Sequence, residues 1–346
     1  MASSANGRER PLGFGIIGLG NIARFHVRAL SALPGCKVVA VTSRDAERRS
    51  VLAAELGAVA CADYRELLLV PGLDVVCICT PSGQHLEPAL AAARAGKHVV
   101  CEKPLEIDVE RAERIILACA EAGVQLACIF QNRYSEHYRE LRDLVTSGAL
   151  GRLVLGNAYV KWYRPPEYYA SSEWRGTLRG DGGAALINQG IHTLDLLLDV
   201  MGKVRSVRGR VATLSHRIEG EDVGAAVLEF ESGALGTIEA STSVYPGFPE
   251  RLEVHGTDGS VVLEGGKIAA RRTRAGQSSA PRAPSSSGAS DPLAIDPELH
   301  RLQYADIVRA IRAGSAPTLS GAQGLSALRV VRAIYESSTT GHEVLL

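Results

Sequence analysis

The spacing of apolar and polar positions changes once along the chain, near residue 130. Before that point, short apolar runs alternate with Ala-rich stretches that have helical spacing. Strands that are apolar throughout and separated by helices are typical of a parallel sheet covered on both faces. The pattern predicts strands at 13–18, 37–42, 58–62, 74–80, 97–103 and 124–130, and helices near 21–32, 45–56, 84–95 and 108–122.

After residue 131 the apolar positions recur with a period of two, following a helix predicted near 135–147. This alternation is typical of antiparallel strands, and turn residues interrupt it in EFESGALG and HGTDGSV. Two more helices are predicted near 298–313 and 321–338. We therefore expect a large, mostly antiparallel sheet with one face on helices and the other face open.

These patterns predict an α/β protein with two domains. Residues 1–130 are expected to form a dinucleotide-binding Rossmann domain with a doubly wound parallel sheet. Residues 131–346 are expected to form an α+β domain for substrate binding and oligomerisation, with the C-terminal helices packed back on the fold. Within it, residues 272–297 are rich in Ser, Pro, Ala and Gly, which predicts a flexible surface loop.

The composition argues against several classes of partner. Lys plus Arg equals Asp plus Glu at 38 each, so no net charge favours nucleic acid or an anionic membrane. No run approaches the roughly 20 apolar residues of a membrane span, so we expect a cytoplasmic protein. The seven cysteines lack the spacing of metal ligands, which predicts buried reduced thiols and no metal. The expected partner is a small molecule.

A glycine motif follows the first predicted strand, in GFGIIGLGNIARFH. Gly18 permits a tight turn, and Gly20 leaves space where a pyrophosphate approaches the backbone. Ala23 allows the helix to pack closely on the strand, and Asn21 and Ile22 begin that helix. The motif and its place in a β–α–β unit predict a dinucleotide site.

The end of the second predicted strand bears on the choice of cofactor. A site for NAD usually has a carboxylate about 20 residues past the glycines, but this chain has Ser43 and Arg44 there, with Arg48 one turn later. These residues could receive a 2′-phosphate, which slightly favours NADP over NAD. In the alternative, Asp45 caps the next helix, the arginines face solvent and NAD binds.

The stretch DGGAALINQGIHTLD places three polar residues in an otherwise apolar predicted helix. Asn188, His192 and Asp195 have the spacing of a single helix face, and Gly182-Gly183 lets the backbone approach another group. Removing a hydride from a carbinol carbon requires the hydroxyl proton to leave, and histidine titrates near neutrality. His192 is therefore a candidate general base, although a lone histidine in such a helix is more often satisfied inside the core.

Three motifs together resemble the Gfo/Idh/MocA oxidoreductase family. They are the glycine motif, Thr80-Pro81 followed by His85, and AGKHVVCEKPL at 95–105, and the resemblance covers nearly the whole chain. It implies that Glu102-Lys103-Pro104 supplies the active-site lysine, Lys103, and that His192 is the active-site histidine. It also implies a homodimer or homotetramer.

Several family members carry aspartate where this chain has Asn188, which can hydrogen-bond a substrate hydroxyl but cannot accept a proton. The predicted catalytic residues are Lys103, Asn188 and His192. The predicted cofactor contacts are Gly18, Gly20, Asn21, Ile22, Ser43, Arg44, Arg48, Thr80, Pro81, His85, Glu102 and Lys103. The predicted substrate contacts are Lys103, Tyr163, Arg164, Trp174, Arg175, Asn188 and His192.

The stretch from KWYRPPEYY through SSEWRG contains both tryptophans of the chain. Aromatic rings stack on sugar C–H surfaces, and arginine binds carboxylate or phosphate. The same residue types are common anchors between subunits, so a ligand site and an oligomer contact both remain open. With the helix that follows, this stretch resembles most closely the family branch containing UDP-N-acetylglucosaminuronate 3-dehydrogenases and related sugar 3-dehydrogenases.

The predicted function is an NAD(P)-dependent dehydrogenase that transfers hydride between nicotinamide and a secondary hydroxyl of a sugar, nucleotide sugar or polyol. Resemblance to the 3-dehydrogenases makes C3 the expected position. The alternative is a dinucleotide-binding regulator or sensor of the same fold without turnover, since fold alone does not determine function. The presence of both Lys103 and His192 favours the enzyme.

Overall fold

The computed structural model describes residues 10–274, 276–278 and 297–346. Its first sheet has six parallel strands, in the order β3-β2-β1-β4-β5-β6. These strands are β1 Leu12–Ile17, β2 Cys36–Thr42, β3 Val59–Cys61, β4 Val75–Ile78, β5 His98–Cys101 and β6 Leu126–Cys128. Strand order reverses between β1 and β4, which opens a crevice at the carboxyl ends where such sheets bind ligands.

Five helices connect these strands and cover the sheet. They are α1 Asn21–Ser31, α2 Ala46–Leu56, α3 Tyr64–Leu68, α4 Leu86–Arg94 and α5 Val109–Glu121. The doubly wound Rossmann sheet predicted from the apolar runs is confirmed. The short helix α3 was not predicted, because its five residues are too few to show helical periodicity. Asp63 caps it by accepting hydrogen bonds from the amides of Arg65 and Glu66.

The second sheet has nine strands, in the order β14-β13-β12-β11-β7-β10-β9-β8-β15. All neighbours are antiparallel except β7 and β10, which are parallel. The strands are β7 Leu153–Lys161, β8 Val204–Ala212, β9 Val223–Phe230, β10 Leu235–Ser241, β11 Arg251–Gly256, β12 Gly259–Glu264, β13 Lys267–Thr273, β14 Gly276–Ser278 and β15 Val344–Leu345. The predicted, mostly antiparallel sheet is confirmed.

Five more helices follow the first sheet along the chain: α6 Glu136–Thr146, α7 Pro166–Ala170, α8 Ile191–Met201, α9 Pro297–Ala313 and α10 Gly321–Thr340. Helix α8 packs on β7 and β11, and α10 packs on β8. Along β9, buried Leu228 and Phe230 alternate with the more exposed Val227 and Glu229. One face of the sheet is therefore covered and the other is open.

The two C-terminal helices complete the core on both sides of the first sheet. Helix α9 packs on α1, where fully buried Tyr304 meets the edge of Phe14 at a ring distance of 5.9 Å. Helix α10 packs on α5 and β6, with Gly324 against Cys128. The prediction that these helices pack back on the fold agrees with this arrangement, while the domain boundary after residue 130 stays a prediction.

The loop predicted at 272–297 differs from the structure at its start. Strand β13 continues through Thr273 and pairs with β14 in a hairpin, because its backbone groups complete the ladder at that edge of the sheet. Residues 275 and 279–296 lie outside the described residues. In the part of the chain that the structure describes, no helix is long and apolar enough to cross a membrane. All seven cysteines are free thiols, and six of them are buried.

Candidate active site

A single continuous cleft runs along the carboxyl ends of the first sheet and reaches the second sheet. Its volume is about 2320 Å³, more than twice the roughly 300–1,000 Å³ of a typical ligand pocket. It therefore has room for a dinucleotide and a second ligand side by side. The turns after β1, β2, β4 and β5 line one part, and α8 with the aromatic stretch lines another.

The glycine turn after β1 lies in this cleft and fits a dinucleotide. Gly18 has φ +91°, and a Cβ there would lie 2.7 Å from the carbonyl oxygen of Cys79. Gly20 precedes α1, and a Cβ there would meet nothing within 4 Å. Asn21 and Ile22 also line the cleft. The open space over Gly20 lies at a helix N-terminus, where backbone amides attract phosphate.

Of the residues after β2, some have the contacts expected for NAD binding and others have those expected for NADP binding. Asp45 caps α2 by accepting from the Arg48 amide at 2.9 Å, as the NAD alternative predicts. The Arg48 side chain does not simply face solvent, because its Nη1 donates to the carbonyl oxygen of Leu19 in the glycine turn at 3.1 Å. Ser43 and the exposed Arg44 line the cleft beside it.

Thr80 and Pro81 follow β4 and line the cleft, but His85 does not. The His85 ring is 1% exposed, with Nε2 at 3.0 Å from the Thr80 carbonyl and Nδ1 at 3.1 Å from the Pro104 carbonyl. Direct cofactor contact by His85, expected from the sequence, does not fit this geometry. The ring instead joins the turn after β4 to the turn after β5.

Glu102 follows β5, and its carboxylate is buried. Its Oε1 is 2.7 Å from Nε2 of His26, whose Nδ1 is 2.5 Å from the Tyr304 hydroxyl. Burial would raise the pKa of Glu102, but the hydrogen bond to His26 and nearby positive charge lower it to about 2. Glu102 also borders the cleft, so cofactor contact by this residue stays a prediction.

Lys103 and Asn188, both predicted from the sequence, are in contact. Lys103 Nζ donates to the Asn188 backbone carbonyl at 2.7 Å and to its Oδ1 at 3.3 Å. Burial lowers the pKa of Lys103, while the carboxylates of Glu102 and Asp181 oppose that shift. The peptide bond between Lys103 and Pro104 is cis.

The Asn188 amide is committed to protein partners rather than left for a substrate hydroxyl. Its Nδ2 donates to Asp181 Oδ1 at 2.5 Å, and its Oδ1 also accepts from Gln189 Nε2 at 3.2 Å. Burial raises the pKa of Asp181 to about 6, although the hydrogen bonds it accepts and the Lys103 charge oppose this. The sequence reading missed Asp181, whose only signal was its place before two glycines.

His192 lines the cleft beside Lys103, with its ring edge-on to Phe130 at 5.6 Å. Its Nδ1 is buried and has no hydrogen-bond partner among the described residues. Burial and the Lys103 charge lower the pKa of His192 to about 3. An imidazole with this pKa is neutral at physiological pH, whereas the sequence predicted a group that titrates near neutrality.

Asn188 does not keep α-helical spacing with His192 and Asp195. Residues Ala185–Gly190 form a π-helical segment before α8, which changes the angle between successive side chains. His192 and Asp195 both lie in α8, where Asp195 pairs with Arg133. The glycine pair before this segment approaches the protein itself, since a Cβ at Gly183 would lie 2.2 Å from the Tyr335 hydroxyl.

The aromatic stretch presents alternate residues to the cleft. Trp162 and Arg164 line it, whereas Tyr163 packs against Tyr245 at a ring distance of 5.3 Å and does not. Successive side chains of extended backbone point to opposite faces, so this geometry does not support direct substrate contact by Tyr163, which stays a prediction. The cleft is further lined by Tyr168, Trp174 and Arg175.

Arg164 is the largest fully buried side chain at this wall. Its guanidinium lies over Trp162 at 4.9 Å, and its Nη2 donates to Gln189 Oε1 at 3.0 Å. Gln189 in turn donates to the Tyr168 hydroxyl at 3.0 Å. Gln131 adds a buried Oε1 that has no partner among the described residues. The sequence reading missed both glutamines, because amides carry no distinctive pattern.

Comparison with known proteins agrees with this geometry. The family model described as "Oxidoreductase family, NAD-binding Rossmann fold" matches residues 12–130, and the model for the GFO/IDH/MocA C-terminal domain matches residues 138–262. The chain belongs to the Gfo/Idh/MocA oxidoreductase family. Together the two models match well over half of the sequence, and they meet close to the change in apolar period.

Relatives in this family include dehydrogenases and reductases of sugars and inositols. The 1,5-anhydro-D-fructose reductase of Ensifer adhaerens is 30% identical and covers 95% of this chain and 96% of its own length. The myo-inositol 2-dehydrogenase of Thermotoga maritima is 29% identical over 72% of this chain and 74% of its own. The protein is thus an oxidoreductase with an NAD-binding domain.

The solved structures include a similar nucleotide-sugar enzyme. The WlbA dehydrogenase from Bordetella pertussis, in complex with NADH and UDP-GlcNAcA, is 31% identical, with a TM-score of 0.86. The match covers 97% of this chain and 99% of that one. This likeness extends over both sheets, so it includes every element that lines the cleft.

Proposed function

We propose that this protein is a dehydrogenase acting on a secondary hydroxyl of a sugar or nucleotide sugar, with C3 as the position. The contact of Lys103 with Asn188, next to His192 at the carboxyl ends of the parallel strands, carries the proposal. The catalytic residues proposed are Lys103 and His192, with Asn188 holding the lysine.

In this mechanism His192 takes the hydroxyl proton, because its imidazole is neutral at physiological pH. The Lys103 ammonium stabilises the alkoxide that forms, from a partly buried position where a charge acts strongly. A nicotinamide bound in the cleft supplies the hydride acceptor. The charge of the neighbouring Glu102 raises the pKa of Lys103 and so helps to keep the lysine protonated.

The cleft wall supports a substrate with both a ring and negative charge. Trp162 and Trp174 offer faces for sugar C–H groups, and Arg164 and Arg175 offer cations. The similar WlbA dehydrogenase structure holds UDP-GlcNAcA, a compound with those features. We therefore place uronic-acid nucleotide sugars first among the substrates.

For the cofactor we propose NADP(H), with NAD(H) as the alternative. The exposed Arg44 and the nearby Arg48 line the cleft, and the Asp45 carboxylate is engaged as a helix cap. A 2′-phosphate beside Arg44 would meet positive charge, while the Asp45 carboxylate caps α2 and lies 3.6 Å from Arg48 Nε. The NADH in the similar WlbA complex supports the alternative.

We also propose that residues 131–346 assemble a homodimer or homotetramer through the open face of the second sheet. Leu155, Val227 and Leu235 lie on neighbouring strands and are 38%, 53% and 51% exposed. A shared apolar face of this kind is typical of a subunit contact. Light scattering that gives a monomer mass at micromolar concentration would contradict this proposal.

The proposed function is tested by a thermal-shift screen of nucleotide sugars, free sugars and polyols with each cofactor. A ligand at about 100 times its dissociation constant adds about 2.7 kcal/mol to the free energy of unfolding. Compounds that raise Tm are then assayed for cofactor reduction. Stabilisation without turnover by any of them would favour a sensor over an enzyme.

A further inference from the structure

Asp181 is joined to the Lys103 ammonium through a single amide. Lys103 Nζ donates to Asn188 Oδ1 at 3.3 Å, and Asn188 Nδ2 donates to Asp181 Oδ1 at 2.5 Å. The other carboxylate oxygen, Oδ2, accepts from the Gly176 amide at 3.0 Å. Asp181 is 2% exposed, so water does not compete for these bonds.

The Asp181 carboxylate determines which atom of the Asn188 amide, oxygen or nitrogen, faces the Lys103 ammonium. An amide has an oxygen that only accepts and a nitrogen that only donates. With Asp181 ionised, the nitrogen faces the carboxylate, and the oxygen faces both Lys103 and Gln189 Nε2. The reverse orientation would set the amide nitrogen against the ammonium and the oxygen against the carboxylate, so all three of these hydrogen bonds would be lost.

We propose that Asp181 is a positioning residue for Lys103. It fixes the orientation of the Asn188 amide, and its negative charge stabilises the Lys103 ammonium across that amide. The inference deepens the proposed function and rests on Lys103 being the residue that stabilises the alkoxide in that reaction. Asp181 itself does not line the cleft, so it acts through Asn188 and not on the substrate.

The charges around Lys103 make this role measurable. Glu102 and Asp181 raise the pKa of Lys103, whereas burial and the Arg164 guanidinium lower it. Lys103 in turn lowers the pKa of His192. Glu221 is an acidic group near Asp181, and it accepts from the amides of Ala184 and Leu186 and from the Tyr335 hydroxyl.

The first test needs no substrate. The chain contains six lysines, so ¹³Cε-labelled lysine in the full-length protein gives a resolvable NMR titration, with Lys103→Met assigning the signal. Asp181→Asn should lower the pKa of Lys103 by about half a pH unit or more, because one of two opposing carboxylates is lost. An unchanged Lys103 titration in the folded variant overturns the proposal, whatever the substrate is found to be.

Glu221→Gln is the matched control. Glu221 is a buried carboxylate that binds the start of the same π-helical segment through Ala184 and Leu186 but does not contact Asn188. The Glu221→Gln variant should have a lower Tm, but the pKa of Lys103 in it should equal that of the parent. A shift as large as that in Asp181→Asn would mean that general loosening moves the lysine, and the specific role would be rejected.

Kinetics with the best substrate from the screen test the amide link. Asp181→Asn should lower kcat about tenfold or more with the KM for cofactor unchanged, because the Asn188 amide is no longer fixed and the ammonium loses a nearby negative charge. The exchange Asp181→Asn with Asn188→Asp restores one carboxylate and one amide, and should recover kcat to within about fivefold of the parent.

A double variant whose loss equals the product of the single losses would overturn the proposal, because the two positions would then be uncoupled. If the parent itself shows no turnover with any compound, the proposed function fails. The NMR titration still decides whether Asp181 sets the charge state of Lys103.

Discussion

Arg133 binds Asp195 through two hydrogen bonds of 2.7 Å, from Nε to Oδ2 and from Nη2 to Oδ1. A third bond of 2.5 Å joins Arg133 Nη1 to Asp199. The segment after β6 is thereby fastened to α8, the helix that carries His192. Asp195 is thus a structural residue, and burial still raises its pKa to about 6 despite the arginine.

Arg133→Met should lower the free energy of unfolding by about 3–5 kcal/mol, because it leaves the buried Asp195 carboxylate without its cation, whereas Asp199 keeps Arg142 at 3.6 Å. Urea denaturation followed by circular dichroism measures the change. Arg205→Met is the control, since Arg205 pairs with Glu229 at the surface and should contribute about 1 kcal/mol or less. Equal losses in the two variants would contradict the assignment.

Lys103→Met should reduce turnover by about a hundredfold or more while cofactor binding is retained, because the charge that stabilises the alkoxide is removed. Steady-state rates and a fluorescence titration with the reduced cofactor measure the two effects. Lys161→Met is the control, as Lys161 is exposed and paired with Glu239 at 2.9 Å. Turnover within twofold of the parent would remove Lys103 from the mechanism.

His192→Asn should reduce kcat by about 10²–10⁴ through loss of the general base. Because the pKa of His192 is about 3, the imidazole stays neutral between about pH 5 and 8. The parent and the variant should therefore show pH profiles of the same shape in that range. If kcat of the parent rises with pH in this range and that rise is absent in the variant, bound ligands must return His192 to its usual pKa.

Ser43→Asp should shift preference from NADP toward NAD, since the new carboxylate can accept from ribose hydroxyls and repels a 2′-phosphate. The measurement is the ratio of kcat/KM for the two cofactors in parent and variant. If the parent already prefers NAD more than about tenfold, Arg44 and Arg48 contribute little to cofactor choice. A charge-assisted bond to phosphate is worth about 1.5–3 kcal/mol.

Glu250→Gln should stabilise the protein at alkaline pH. Burial raises the pKa of Glu250 from its usual 4.5 to about 7, and its Oε2 has no partner among the described residues. A raised folded pKa means that stability is full below pH 4.5 and is lost as pH rises through 7, by up to about 3 kcal/mol. The Tm of the variant should therefore exceed that of the parent above about pH 8 and equal it below about pH 4.5. Equal Tm values in both ranges would contradict the raised pKa of Glu250.

The strand positions of the first sheet and the glycine motif could be predicted, because burial on both faces leaves unbroken apolar runs. Lys103 and His192 were predicted from the resemblance to the family, and both line the cleft, while their catalytic roles stay predictions. Asp181, His85 and Tyr163 could not be placed, since their roles depend on which way a side chain turns. The π-helical segment changed the position of Asn188 relative to His192 and Asp195, and nothing in the composition of residues 185–190 marks such a segment.

The C-terminal helices α9 and α10 have a consequence for the order in which the chain folds during synthesis. The first sheet receives Tyr304 of α9 on one side and Leu328 of α10 on the other. A ribosome that has released only the first 150 residues has therefore produced all six parallel strands with apolar area still uncovered on both sides. Newly made chains would hold this surface until the last fifty residues emerge, and chaperones that bind exposed apolar segments would meet it there.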